Sequence, residues 1–253
     1  MSTQGVDRRS RANRCRSAMV EGWVAGVDGC RGGWVVMLRE IRRCALVLTL
    51  CERFSEVLAL PQAPAIIAVD IPIGLLPRRA PGGRECDRAA RYVLGRDRQA
   101  SVFTPSTRAA LRAMSYAEAI RLGGGLSRQA YGILPKIREV DCLMSPARQQ
   151  RVYECHPELA FSRLAGVPLR HNKKSADGRR QRLRLLHRCF GRRFVALTEL
   201  RKGIGRARVK DDDILDAYVL TDSAWRIARG CAARLPAGTP RYDDRGLRME
   251  IWY

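Results

Sequence analysis

The chain has 253 residues, 46% hydrophobic and 28% charged, with 47 Lys and Arg against 25 Asp and Glu for a formal net charge of +22. That length buries a core without disulfide or metal staples, and the charge favours an anionic partner such as nucleic acid. No apolar run reaches the ~18 residues of a membrane span, so no membrane role is expected.

Residues 1–22 are polar and Arg-rich and lack the apolar centre of a signal peptide. They read as a disordered basic extension, with Met19 as an alternative start. "GWVAGVDGCRGGWVVMLREI" reads as two strands joined by a glycine-rich hairpin turn, and "CALVLTL" as a third strand. "ERFSEVLAL" has the spacing of a short helix. "PAIIAVDIPIG" is a continuous apolar run, as in a strand buried on both faces, and it ends at Asp70.

A mostly helical stretch follows, expected as an insertion over about residues 84–147. It holds "ECDRAARYVLG", then "SYAEAIRLGGG" with Ser115 and Glu118 in capping-box spacing, then a longer helix that Pro135 should kink or restart. "RVYECHPE" reads as a strand, with Pro157 opening the next helix. Residues 176–190 and 211–229 read as helices, and "LRMEIWY" as a final short strand. Residues 23–253 therefore form one α/β domain: an antiparallel meander of three strands, then strands entering in parallel beside the first.

Nine Cys occur without a C-x-x-C pair. Zinc spacing and a compact disulfide framework are not expected, and reduced thiols in a cytoplasmic protein are. Of the 47 basic residues 42 are Arg, a bias that GC-rich coding produces on surfaces regardless of function. The charge is nonetheless uneven. Residues 170–210 hold 15 Lys and Arg against Asp177 and Glu199, a net of +13. This segment is the best phosphate-binding surface, with Lys173, Lys174, Arg179 and Arg180 as its leading contacts. Arg108, Lys136 and Arg138 are further candidates, each weighed against a surface ion pair.

The acids are more specific. Asp28 and Asp70 each end an apolar strand, where an isolated carboxylate is costly unless paired, hydrogen-bonded or metal-bound. At the carboxyl ends of neighbouring parallel strands they face one crevice, where open α/β sheets bind ligands. "KDDDILDAY" opens the last long helix with four acids; Asp213 and Asp216 share one face, and so do Asp212 and Asp216. A capping role opposes the ligand reading, most strongly for Asp211. Clustered carboxylates raise one another's pKa, a conflict that Mg²⁺ or Mn²⁺, which favour oxygen ligands, would remove. Glu154 in "YECHPE" is a fifth candidate, as ligand or general base, and His156 nearby reads equally as a water-orienting group or a hydrogen-bonded structural histidine.

"AGVDGCRGGWVV", "AVDIPIGL", "RECDRAAR", "SVFTPSTRAAL", "SYAEA", "LSRQAYGILPKIREVD", "YECHPELAF" and "KDDDILDAY", in this order, resemble the domain of unknown function 429 family across about residues 24–253. That family is described as predicted nucleases with an RNase H-like fold. The resemblance implies a five-stranded mixed sheet flanked by helices. It also implies acids on the first strand, at the fourth and on the last helix, places that Asp28, Asp70, Asp213 and Asp216 match. Holliday-junction resolvases of that superfamily carry Glu on the fourth strand, where this chain has Asp70.

The leading expectation is a nuclease using one or two divalent cations, Mg²⁺ or Mn²⁺, on DNA or RNA. A nucleotide-binding protein of the actin-like and sugar-kinase kind is the alternative, with "VDGCRGG" approaching a phosphate. A non-catalytic nucleic-acid-binding module is a third.

Overall fold

A computed structural model describes residues 22–253. The rest of the basic extension, and the choice between Met1 and Met19, lie outside the described residues. β1 (Trp23–Cys30), β2 (Gly33–Glu40) and β3 (Leu46–Cys51) form the antiparallel meander. A Cβ at Gly33 would lie 2.2 Å from the Cys51 carbonyl oxygen, so the hairpin turn needs glycine there. The helix α1 (Phe54–Leu58) leads to β4 (Ile66–Val69), which pairs in parallel with β1.

Then come α2 (Glu85–Arg98), α3 (Tyr116–Gly123) and α4 (Arg128–Leu143). α2 breaks its helical backbone at Gly95, and α4 runs on through Pro135. β5 (Val152–Glu154) adds in parallel to β4. The sheet order is β3-β2-β1-β4-β5, as the sequence predicts.

α5 (Pro157–Ala165), α6 (Ala176–Phe190), α7 (Leu197–Leu200) and α8 (Asp211–Ala228) follow. The expected final strand divides in two. β6 (Arg234–Leu235) pairs with β9 (Ile251–Trp252), and β7 (Arg241–Tyr242) with β8 (Arg248–Met249), all outside the main sheet.

Strand alternation sorts the core into two layers. Ala25, Val27, Ile67 and Val69 pack with Leu134, Ile137 and Val140 of α4 on one face. The segment expected as an insertion thus supplies core. Val24, Val35, Met37 and Ala68 pack on the other face with Phe161 of α5, Leu186 of α6 and Ala217 of α8. Every residue of α8 from Ile214 to Ala224 is buried, so this helix belongs to the core on all sides. No helix among the described residues is long and apolar enough to cross a membrane, and their eight cysteines are free thiols.

Candidate functional site

Gly26 sets the site. A Cβ there would lie 2.1 Å from the Ala217 carbonyl oxygen and 2.4 Å from the Thr221 nitrogen. The backbone of α8 therefore rests directly on β1. By strand parity Asp28 faces the same way as Val24 and Gly26, towards α8. Asp70 follows Val69, its nitrogen 3.0 Å from the Val27 carbonyl, and by the same parity shares the face of Ala68. The two acids stand side by side at the carboxyl ends of adjacent parallel strands, under the first turns of α8.

Their electrostatics show how near the acids lie. Burial holds the Asp28 carboxyl well above the usual carboxylate range, and the charges of Asp70, Asp216 and Asp213 add to the shift. Asp216, 1% exposed, is pushed up to about 7, first by burial and then by Asp70 and Glu158, against the pull of Lys173. Burial also raises Asp70 and Asp213. Asp213 Oδ2 accepts from the Lys210 nitrogen at 2.8 Å, so this acid caps its helix as well as facing the cluster.

A lysine stands among these carboxylates. Lys173, in the loop before α6, donates to Asp216 Oδ2 at 2.6 Å. Burial pulls its ammonium down, but Asp216, Asp28 and Asp70 more than offset that and raise its pKa. One ammonium cannot neutralise three clustered carboxylates, so their repulsion favours the protonated form. Asp216 Oδ1 is buried and has no hydrogen-bond partner among the described residues. Among the described residues no group of three or more His, Cys, Asp or Glu is placed to hold a metal ion. The donors are the hard oxygens that Mg²⁺ and Mn²⁺ prefer, and one of them is free. The donor types therefore suit such a cation, while their present spacing does not hold one.

The other candidates are placed apart from the acids or are engaged. Glu154 lies level with Val69 in the β4–β5 register and has the parity of Val152, so it faces away from α8. Arg84 holds both its oxygens, at 2.5 and 2.8 Å, and the Ile73 nitrogen donates at 2.7 Å. Arg108 pairs with Asp141 at 3.1 Å and also with Asp243 and Asp244. Arg138 donates to the Leu111 and Ala113 carbonyls.

Lys136 donates to the Gly33 carbonyl at 2.6 Å and lies 4.4 Å from the Trp34 ring centroid. Burial lowers its pKa despite the nearby Asp28 and Asp213 charges. Arg179 pairs with Asp211 and Arg180 with Asp177, both at exposed sites where such pairs exchange readily. Arg84 has no sequence signal as the partner of Glu154; the period-two pattern of β5 was the one available clue that Glu154 turns away.

A cavity of ≈ 460 Å³ opens beside the acids, with Asp70 and Asp216 in its wall together with Phe103, His156, Lys173 and Lys174. His156 Nε2 lies 3.3 Å from the Ser101 carbonyl. A carbonyl only accepts, so Nε2 carries a proton; Nδ1 is buried without a partner among the described residues. The glycines of the β1–β2 turn are taken up by chain packing. The Gly32 nitrogen donates to the Arg208 carbonyl at 2.9 Å, and Gly33 abuts Cys51.

The molecule is thus an α/β protein with a mixed five-stranded sheet and a buried acidic cluster at the carboxyl ends of its central parallel strands. The model of the family described as "Protein of unknown function (DUF429)" matches residues 26–241, and the chain belongs to that family. No curated protein and no solved structure matches it significantly.

Proposed function

We propose that the protein is a metal-dependent phosphodiesterase of RNase H-like type acting on DNA or RNA. The feature that supports this most is the gathering of Asp28, Asp70 and Asp216, carboxylates from three separate elements, at the crevice where sheets of this kind bind ligands, with the charge of Asp70 raising both of the others after burial. Asp28, Asp70 and Asp216 would hold the cation, with Asp213 beside them. Bound there, Mg²⁺ or Mn²⁺ would lower the pKa of a water and stabilise the charge on the phosphoryl and leaving oxygens.

The chain's own residues would do the rest. Lys173 leaves Asp216 and turns its ammonium to the substrate phosphate. His156 Nδ1 takes the proton of the attacking water as the new P–O bond forms, and the leaving oxygen is protonated from solvent as its bond breaks. Lys174 and the exposed arginines of α6 bind the phosphate backbone.

A panel of single-stranded, duplex and branched DNA and RNA, incubated with Mg²⁺, Mn²⁺ or chelator, tests the reading. Cleavage that requires the cation and disappears in Asp28→Asn is the expected result. Nucleic-acid binding without cleavage of any substrate would instead make the protein a binding module.

A further inference from the structure

We infer that the cavity beside the acids seats one unstacked nucleotide, so the substrate enters as a single strand or a frayed end and not as the interior of a duplex. This rests on the nuclease reading above and names its substrate class. A volume of ≈ 460 Å³ lies within the range of ~300–1,000 Å³ of small-molecule sites. A duplex groove contact would need a broad open surface, whereas this site is a recess the size of a nucleotide.

The walls divide by chemistry. Phe103 and Ile133 provide an apolar side for a base, Gln129 and Asn172 provide amides for its edge, and Lys173 and Lys174 provide cations for a phosphate. Two buried polar atoms without partners, Asp216 Oδ1 and His156 Nδ1, belong to residues of the same wall. A base within a duplex would reach Phe103 only by leaving its stack, a cost that an unpaired nucleotide avoids.

A strand fits better than a free mononucleotide. A second groove, of ≈ 540 Å³, shares Lys173 and Lys174 with the cavity and continues past Ser175, Arg179 and Lys210. It runs over the N-terminal ends of α6 and α8; Asp211 and Asp212 line its α8 end, so a flanking phosphate is received at the α6 end, by Lys173, Lys174 and the helix dipole there.

The test measures binding in chelator at ~0.15 M salt, so cleavage does not enter. The probes are a 5′-mononucleotide, a short single strand and the blunt duplex of the same sequence. The single strand should bind at least about tenfold tighter than either of the others. Phe103→Leu keeps apolar volume against the core but removes the aromatic face, and should weaken single-strand binding about tenfold, as loss of one base–aromatic stack does. Phe103→Tyr should restore it, and a melting curve of each variant confirms folding.

Duplex binding as tight as single-strand binding, or no effect of Phe103→Leu, overturns the inference. Equal affinity for the mononucleotide overturns the strand and leaves a free nucleotide as ligand. Normal single-strand binding with no cleavage under any metal would sink the nuclease reading alone; cation-dependent cleavage confined to duplex interiors would sink this inference alone.

Discussion

Lys173 Nζ lies 2.6 Å from Asp216 Oδ2, so the chain places its own cation among the carboxylates of its central crevice. The positions of the two residues explain the contact. Asp216 is fixed by a helix buried on all sides, and Lys173 is carried by the loop just before α6, with a side chain 36% exposed. The rigid partner is the acid and the movable one is the base. A divalent ion and Lys173 would therefore compete for the same negative potential.

Lys173→Met removes that internal cation. In chelator the variant should lose about 1–2 kcal/mol of stability, less than the ~3–5 kcal/mol of a fully buried broken pair because the lysine is partly solvated. Saturating Mn²⁺ should restore the loss and bind the variant more tightly than the parent, since ligand-linked stability follows affinity for the folded state. Urea unfolding with and without Mn²⁺ reads both. Equal deficits in the two conditions would make Lys173 a structural partner only.

Asp216→Asn tests the cluster's proton linkage. The folded pKa of Asp216 is raised from 3.8 to about 7. The folded state therefore binds the proton more tightly than the unfolded one. Its contribution to stability is complete below 3.8 and is lost as pH rises through about 7. The variant lacks this loss. In chelator its stability relative to the parent should improve by on the order of 2 kcal/mol between pH ~4 and ~7.5. Chemical denaturation across that range measures the difference; a relative stability that does not change with pH would remove Asp216 from the proton-binding cluster.

Asp28→Asn and Asp213→Asn should separate in single-turnover cleavage with Mn²⁺. Among the described residues Asp28 accepts only from its neighbour's nitrogen, Gly29, at 2.8 Å, and otherwise faces the cluster. Losing it should cost about 10²-fold or more, the rate equivalent of several kcal/mol of charge stabilisation. Asp213 is partly committed to its cap on the Lys210 nitrogen, a bond that Asn preserves, so its loss should be about tenfold. The opposite order would place the reacting centre at the mouth of α8.

Glu154→Gln should act on stability and leave the metal response unchanged. The pair it breaks with Arg84 is buried on both sides, at 2% and 6% exposure, and should cost about 3 kcal/mol. Cleavage measured well below the melting temperature should keep its Mn²⁺ dependence. A shifted Mn²⁺ dependence would return Glu154 to the ligand set.

Gly26→Ala should fail in a different way. Its Cβ would fall on the Ala217 carbonyl and the Thr221 nitrogen, and relieving that overlap moves α8 away from β1. A loss of about 3 kcal/mol is expected, together with cleavage that falls as Asp28 and Asp216 separate. Thermal melting and the cleavage assay check both; a variant of parental stability would mean that the helix is not in contact at Gly26.

The sequence by itself determined the meander, the parallel entry of β4 beside β1, and the extent of α6 and α8. Apolar periodicity, glycine turns and caps are local signals, and the core has no other way to bury those runs. It also marked Asp28, Asp70, Asp213 and Asp216, because a carboxylate that ends an apolar element must have a reason to be there. What only the tertiary structure decided is which partner each charge takes. Lys173 and Lys174 are neighbours in the same basic run and both line the cavity and the adjoining groove, yet it is Lys173 that turns into the acidic cluster through its bond to Asp216. Glu154 and Asp70 both close parallel strands, but one residue of parity places Arg84 against the first and the acidic cluster against the second. Arg108 and Arg138 looked free for phosphate and are held by carboxylates and carbonyls distant in sequence. The physical reason is that charge pairing is set by distance and burial in space, to which segments far apart in the chain contribute equally, and neither quantity is encoded in local spacing.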